Sequence, residues 1–257
     1  MTVPTVVVHR DQEVLAKAVA ARLVTRLVDV QSARGGAHVV LTGGGVGTAA
    51  LAEVAATPAH AAVDWDHLDI WWGDERFLPS GHEERNETGA RAALLDRMHV
   101  DERRVHPMPA AEEGLSPEDA ADLYASELRA ATRPEDHGDV PSFDVLMLGL
   151  GPDAHVASLF PGMPALYEHR PVVAVRGAPK PPPNRVTLTL PALQTAREVW
   201  IIAAGESKAK AVRLALSDAG PVQVPGAGAR GRQRTLFLLD RAAARELPPE
   251  IARPASP

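Results

Sequence analysis

Residues 143–162, FDVLMLGLGPDAHVASLFPG, decide how this chain folds. The apolar run Val145-Leu146-Met147-Leu148 is short, nearly uninterrupted and bounded by Gly149, which predicts a strand buried on both faces of a parallel sheet. Ligands of such sheets collect at the carboxyl ends of the strands. The glycine turn at this end delivers Asp153 and His155 together. A carboxylate two residues before an imidazole fixes the ring's tautomer and stabilises its protonated form, which suits a general base and is expected to raise its pKa. The alternative is that Asp153 caps a following helix and His155 sits in its first turn.

Outward from this segment, strands alternate with helical patterns and no internal repeat is present, so the expected fold class is α/β with a mostly parallel sheet. Thr5 to His9 reads as a first strand. Asp11 starts a helix whose apolar positions Val14, Leu15, Val19, Leu23 and Leu27 recur at helical spacing. His38 to Thr42 is the next strand, ending in Gly43-Gly44-Gly45-Val46-Gly47, with a helix over Thr48 to Ala56. Leu68 to Trp72 is a third strand, closing on Gly73-Asp74-Glu75-Arg76. The polar stretch from Leu78 to Glu87 reads as a loop. Helices are expected over Ala90 to Met98 and over Pro117 to Ala131, with Ser116 as the cap of the second. Val172 to Val175 and Val186 to Leu190 are short strands flanking a stiff loop with Pro181, Pro182 and Pro183 in a row. Val199 to Ala203 is a strand followed by Gly205-Glu206-Ser207-Lys208 and a helix to about Ser217. Leu236 to Leu239 is the last strand. A single domain over residues 1–246 and a poorly ordered, proline-rich tail over 247–257 follow.

Composition narrows the function classes. A chain of 257 residues with 45% hydrophobic content can bury a large core, and its 4% aromatics put Val, Leu and Ala in that core. The net charge of −6 gives no electrostatic reason to expect nucleic acid as a partner. Without cysteine, neither disulfides nor thiolate metal sites form, and the ten histidines show no HExxH pattern. No run approaches the roughly 20 apolar residues of a membrane span. The start, MTVPTVVVHRDQEVL, lacks the features of a signal peptide, so a cytoplasmic location is expected.

Four strand ends carry polar residues: the turn at Gly43, Gly44 and Gly45, then Asp74-Glu75-Arg76, then Asp153 with His155, then Ser207-Lys208. Their expected common address is one edge of one sheet. A glycine turn before a helix offers free N–H groups and a helix dipole to an anion, or is a plain tight turn. It matches neither the lysine-bearing phosphate loop nor the dinucleotide fingerprint. Lys208 draws notice because the chain has only four lysines, although an exposed helix position explains it equally.

The stretches DERFLPSGHEERN (74–86), GLGPDAHVASLFPG (149–162), KPPPNRVTLTLPAL (180–193) and GESKAKA (205–211) resemble those of the 6-phosphogluconolactonase family, in its order and spacing and over nearly the whole chain. The GESKA-like segment and the glycine turn are shared with the related hexosamine-6-phosphate deaminases. The resemblance implies a Rossmann-like, mostly parallel sheet flanked by helices, of the NagB/RpiA/CoA-transferase-like kind. It implies hydrolysis of 6-phospho-D-glucono-1,5-lactone to 6-phosphogluconate, with no cofactor, no catalytic metal and no nucleic-acid or membrane partner, by a monomer or small homo-oligomer. Carried over residue by residue, His155 matches the general base and Asp153 its orienting carboxylate. Arg76, Arg185 and Lys208 match the basic positions around the substrate, Gly43, Gly44 and Gly45 the phosphate-facing turn, and Asn86 a sugar contact. Arg76 alternatively pairs with Asp74 or Glu75, and Arg185 braces the proline loop. The oxyanion is left to backbone N–H groups of the Gly149-Leu150-Gly151 turn or to an arginine.

The chain departs from the family pattern in places. Gly45 and Val46 stand where a serine and a threonine are usual, so phosphate is left to backbone N–H groups, with Thr42 and Thr48 as the neighbouring hydroxyls. Ala154 stands where glycine is usual, and a positive φ there would be strained. Phe237 replaces a tryptophan, and Pro225-Gly226-Ala227 a more polar loop. Two rival functions are deamination of a hexosamine phosphate and non-catalytic sensing of a sugar phosphate. Deaminases continue after the histidine with an IAFNEP-like segment, which 156–162 does not match, and a regulator needs a helix-turn-helix that has no room before Thr5.

Overall fold

The computed structural model describes residues 3–136 and 138–252. Six strands, β1 (Thr5–His9), β2 (Ala37–Leu41), β3 (Leu68–Trp72), β5 (Val145–Gly149), β8 (Glu198–Ala203) and β9 (Arg234–Asp240), form a parallel sheet in the order β1-β9-β8-β5-β2-β3. Both faces are covered, as the unbroken apolar runs require. Along β5, Val145 and Met147 enter one core cluster while Leu146 and Leu148 enter the other. The first of these clusters is closed by the helices α1 (Gln12–Arg34) and α2 (Gly45–Ala56), whose Leu15, Val19, Leu23, Leu27, Leu51 and Val54 are all nearly inaccessible. Full burial of each such side chain stabilises by roughly 1.5–3 kcal/mol. Asp11 caps α1 rather than lying in it, its Oδ1 accepting from Val14 N–H at 2.9 Å.

The opposite face is covered by a layer that sequence reading did not separate from the main sheet. Strand β4 (Asp74–Arg76) pairs antiparallel with β7 (Arg185–Leu188), which pairs antiparallel with β6 (Val172–Val175). Against this small sheet lies α4 (Pro117–Ala130), begun by a capping box between Ser116 and Asp119. Tyr124 of α4 is fully buried, and its hydroxyl accepts from Trp72 N–H at 3.0 Å and donates to the Trp72 carbonyl at 3.2 Å. That bond fixes the end of β3, from which the chain turns into β4.

Several boundaries differ from expectation for identifiable reasons. The helix expected from Ala90 begins four residues earlier, as α3 (Asn86–Ala93), because a distant carboxylate caps it. Glu75, 1% exposed, accepts from Arg76 N–H at 2.8 Å, Asn86 N–H at 2.7 Å and Glu87 N–H at 2.9 Å. Helix α2 starts at Gly45 rather than Thr48, so the glycine turn is itself the helix start. The helix expected to Ser217 is a 3-10 turn, Glu206–Lys208, followed by α6 (Ala209–Ala215), and the strand expected at Val186 to Leu190 yields at Leu190 to the short helix α5 (Leu190–Leu193). A further short helix, α7 (Pro225–Gly228), was not expected. In the expected tail, Leu247 is buried against the core and the Ile251 and Ala252 N–H groups donate to the Pro248 carbonyl at 2.9 and 3.0 Å, while residues 253–257 lie outside the described residues. Among the described residues no helix is long and apolar enough to cross a membrane.

Replacing Glu75 by alanine leaves the buried Asn86 amide and the part-buried Arg76 and Glu87 amides without an acceptor, each worth about 1 kcal/mol or more. Glu75→Ala is expected to lower the unfolding free energy by about 3 kcal/mol in a urea titration followed by circular dichroism; a loss below about 1 kcal/mol would show that water replaces the carboxylate.

Candidate functional site

The direction of strand addition reverses between β2 and β5, since β3 lies outward of β2 and β8, β9 and β1 lie on the other side of β5. A crevice opens at the carboxyl ends of strands at such a reversal. The turns that leave these two strands carry Gly43 to Gly45 and Gly149 to His155, so topology alone brings the two motifs together. The cleft has a volume of about 280 Å³, enough for one small polar ligand. Of the expected residues, Gly43, Gly44, Arg76, Asn86, His155, Arg185 and Lys208 line it. Gly45 faces an adjoining hollow with Val46 and Lys208 on the far side of the turn. Asp153 stands behind the imidazole, reaching the cleft through it.

The β5 turn is folded on itself. Gly151 N–H donates to the His155 carbonyl and Ala154 N–H to the Gly151 carbonyl, both at 2.9 Å. A Cβ on Gly151 would lie 2.0 Å from His155 Nδ1, so only glycine lets the imidazole sit here. Ala154 takes φ +66°, the strained conformation its sequence position foretold, and Ala157 takes φ +50°. His155 Nδ1 meets Asp153 Oδ1 at 2.5 Å. A carboxylate partner places the ring proton on Nδ1 and the lone pair on Nε2. No helix begins at Asp153: residues 154–163 form turns and the next helical turn starts only at Pro164, which removes its reading as a cap. The ring packs on Phe160 with centroids 4.5 Å apart.

The balance of forces on the imidazole differs from the expectation of a raised pKa. Burial lowers it and is the largest influence; the Asp153 bond and charge raise it, Lys180 lowers it and Asp74 raises it, and the result lies below the ordinary histidine value. For Asp153, burial opposes ionisation, but the His155 bond, the His155 charge and Lys180 outweigh it and hold the carboxyl below its usual range.

The opposite wall is built on β4 and β7. Arg76 and Arg185 are register partners across this pair, a like-charged juxtaposition that is unfavourable unless an anion lies between them. Arg76 forms no ion pair with Asp74 or Glu75; its Nη1 donates to the Glu84 carbonyl at 2.7 Å and to Asn86 Oδ1 at 2.9 Å. Asn86 Nδ2 donates in turn to the Asp74 carbonyl at 2.8 Å, and its Oδ1 sits where a Cβ on Gly43 would be, 1.9 Å away. Arg185 does brace the proline loop, with Nε donating to Pro182 at 2.9 Å and Nη2 to Pro181 at 3.0 Å and Lys180 at 3.2 Å, while still lining the cleft. Lys208 is half-buried rather than exposed, and burial followed by repulsion from Lys180 lowers its pKa.

Three further residues line the cleft: Lys180, to which the sequence reading gave no role, Asp74, read there only as a strand-end residue and alternative partner of Arg76, and Thr42, read only as a hydroxyl beside the glycine turn. Lys180 enters the cleft with its Nζ 3.6 Å from Asp153 Oδ1; its scarcity among four lysines was the available signal. Asp74 lines the wall and accepts from Ser158 Oγ at 2.6 Å. Thr42 lines the floor, but its hydroxyl accepts from Gly149 N–H at 3.1 Å. Gly149 and Gly151 N–H groups are therefore both engaged within the protein. Among the described residues no group of three or more His, Asp or Glu side chains is placed to hold a metal ion.

A hydrogen-bonded Asp–His pair, four cations and an amide-rich turn thus converge on one small cleft. Known proteins share the arrangement of the chain around it. A 6-phosphogluconolactonase of Streptomyces coelicolor is 59% identical over 98% of both chains. That of Mycobacterium tuberculosis is 47% identical over 93% of this chain and 96% of its own. In three dimensions the chain superposes on the 6-phosphogluconolactonase from Trypanosoma brucei with a TM-score of 0.82 and 28% identity, covering 95% of this chain and 99% of the other. A monomeric glucosamine-6-phosphate deaminase has the same fold, with a TM-score of 0.77 at 16% identity over 94% of this chain and 99% of that one. Residues 10–238 match the model of one family, and the chain belongs to it: the glucosamine-6-phosphate isomerases/6-phosphogluconolactonases.

Proposed function

We propose that the chain hydrolyses 6-phospho-D-glucono-1,5-lactone to 6-phosphogluconate. The observation that carries this reading is the Asp153–His155 dyad at 2.5 Å, set in a cleft lined by Arg76, Lys180, Arg185 and Lys208. The 59% and 47% identities to curated 6-phosphogluconolactonases support the same substrate. A δ-lactone is an activated ester, so the reaction calls for a positioned water, a base and charge stabilisation rather than a covalent nucleophile.

In the proposed mechanism neutral His155 removes a proton through Nε2 from a water as its oxygen bonds to C1. The carbonyl electrons move onto the former carbonyl oxygen. Since the amides of Gly149 and Gly151 already have partners, a cleft guanidinium, Arg76 or Arg185, is the better-placed donor to that oxyanion. On collapse the bond from C1 to the ring oxygen breaks, and the imidazolium returns its proton to the departing oxygen. The product acid then releases one proton to solvent. Asp153 holds the ring and offsets the transient positive charge. The phosphate is placed at the start of α2, whose first turn carries no acidic residue, with Lys208 beside it. Asn86 is placed against the sugar hydroxyls.

The direct test is hydrolysis of freshly prepared lactone with spontaneous opening subtracted, run beside ammonia release from glucosamine 6-phosphate; turnover of the amino sugar alone would transfer the chain to the deaminases. His155→Ala is expected to lower kcat by at least about 10²-fold with the fold intact, and Asp153→Asn by less. A folded alanine variant of near-normal activity removes His155 from the mechanism.

The pH profile follows from burial of the ring. Only neutral imidazole acts as base, and its pKa is held below the ordinary value of about 6.5. The rate constant kcat/KM should therefore stay high as pH falls to about 6.5 and decline only below it, through the lowered pKa. An acid limb above about 7, or one that persists in a His155 variant, assigns the titration to another group.

Lys208→Ala should reduce kcat/KM for the phosphorylated lactone by the equivalent of about 1.5–3 kcal/mol and hardly affect glucono-δ-lactone, which has no phosphate. Equal losses on both substrates would instead make Lys208 a support for the site's shape.

A further inference from the structure

Lys180 Nζ and His155 Nδ1 address the same oxygen, Asp153 Oδ1, at 3.6 and 2.5 Å. The lysine comes from the proline loop, and Arg185 holds that loop by its carbonyls, including Lys180's own at 3.2 Å. The ammonium is thus presented to the dyad by a braced, stiff segment rather than by a free surface arm. One carboxylate neutralises one cation well. With Lys180 already beside Oδ1, protonation of His155 sets two positive charges against a single acceptor.

We propose that Lys180 is a positioning residue for the dyad, which keeps the His155 imidazole neutral by sharing the Asp153 carboxylate with it. The inference rests on the reading of His155 as the base. A carboxylate behind a histidine by itself favours the imidazolium, the wrong form for accepting a proton from water. Lys180 reduces that bias, in addition to burial, while leaving Asp153 in place to fix the tautomer. The other charged groups around the ring act as follows. Asp74 of β4 faces it and favours protonation; Lys208, beyond β8, interacts with Asp153 and with Lys180; Arg76 and Arg185 line the same cleft on β4 and β7. Burial lowers the ring's basicity in the same sense as Lys180, so the lysine and the apolar contact with Phe160 work together against the two carboxylates.

The test reads the ring directly. The Cε1–H resonance of His155, identified by its loss in His155→Gln, is titrated by NMR in the wild type, Lys180→Met and Lys180→Arg, beside the pH profile of kcat/KM. Because the Lys180 side chain is 42% exposed, solvent screens its charge, and the expected rise in the titration midpoint for Lys180→Met is about 0.5–1 pH unit. The acid limb of kcat/KM should rise by the same amount, and Lys180→Arg should restore both. A midpoint that does not move overturns the proposal. In that case a raised KM for the phosphorylated lactone, with none for glucono-δ-lactone, would make Lys180 a phosphate ligand instead. Lys180→Gln repeats the measurement should the methionine variant lose its native circular dichroism. Failure of the base assignment has a separate signature: an acid limb that survives in His155→Gln, whatever the NMR midpoint does.

Discussion

Glu75 is a carboxylate with almost no access to water, and much of the cleft's geometry passes through its two oxygens. It collects amide donors from both sides of a ten-residue excursion of the chain, Arg76 on β4 and Asn86 and Glu87 at the head of α3. Burial pushes its pKa up, while Arg85 at 3.9 Å and the three amides act against that rise. The consequence is positional. Asn86 is held where its side chain reaches both Arg76 and the backbone of Asp74, and Arg76 is held opposite Arg185. Two guanidinium groups that would otherwise repel each other apart are kept on one wall by bonds made behind them.

The cleft is therefore strongly positive inside a protein whose net charge is −6. Four cations face two carboxylates, Asp74 and Asp153, and each carboxylate already has a neutral or shared partner, Ser158 for the first and His155 with Lys180 for the second. Such a focus of one sign raises the local concentration of a dianion and repels the cations that an overall acidic surface attracts. It also raises the cost of protonating anything within it. Lys208 and His155 are both held below their ordinary pKa values, and in both cases burial leads and Lys180 adds to it. The same surroundings that would favour a dianion thus also favour the neutral form of the His155 imidazole.

What was legible in the sequence was what local chemistry determines. The uninterrupted run 145–148 announced a doubly covered strand, Ser116 followed by Pro117 announced a helix start, and Leu68 to Trp72 was read to the residue. The strand ends were expected to meet on one edge of one sheet; those of β2, β5 and β8 do, because a parallel sheet with a reversal of order brings them together, whereas Asp74 to Arg76 reach the cleft from the second, antiparallel sheet. What escaped was set by partners distant in sequence. Asp-Glu-Arg is a poor strand on propensity, and β4 exists because β7 supplies its ladder. The head of α3 is four residues earlier than its apolar pattern suggests because its cap, Glu75, lies eleven residues upstream of Asn86. The direction of the His155 shift was misjudged for the same reason: Asp153 is visible in the sequence, whereas burial against Phe160 and the approach of Lys180 exist only once the chain is folded.

Ala154 shows how the turn carries a residue that does not suit it. A left-handed conformation at alanine costs roughly 1–2 kcal/mol relative to the right-handed form, which glycine would avoid. The residue nonetheless lies at 1% exposure, so its methyl group contributes about 0.8 kcal/mol of burial that glycine could not supply. Its N–H donates to Gly151 and its carbonyl accepts from Gly226 N–H at 2.9 Å, so the two peptide groups flanking the strained residue are both bonded. A side chain on Gly226 would press within 3.3 Å of that carbonyl and 2.7 Å of Leu150, which ties the Pro225-Gly226-Ala227 segment to this turn through backbone contact rather than through polar side chains. Strain at Ala154 is thereby offset locally by burial and by α7. Asp153 and His155 can converge on Gly151 without the glycine that would make the turn easy.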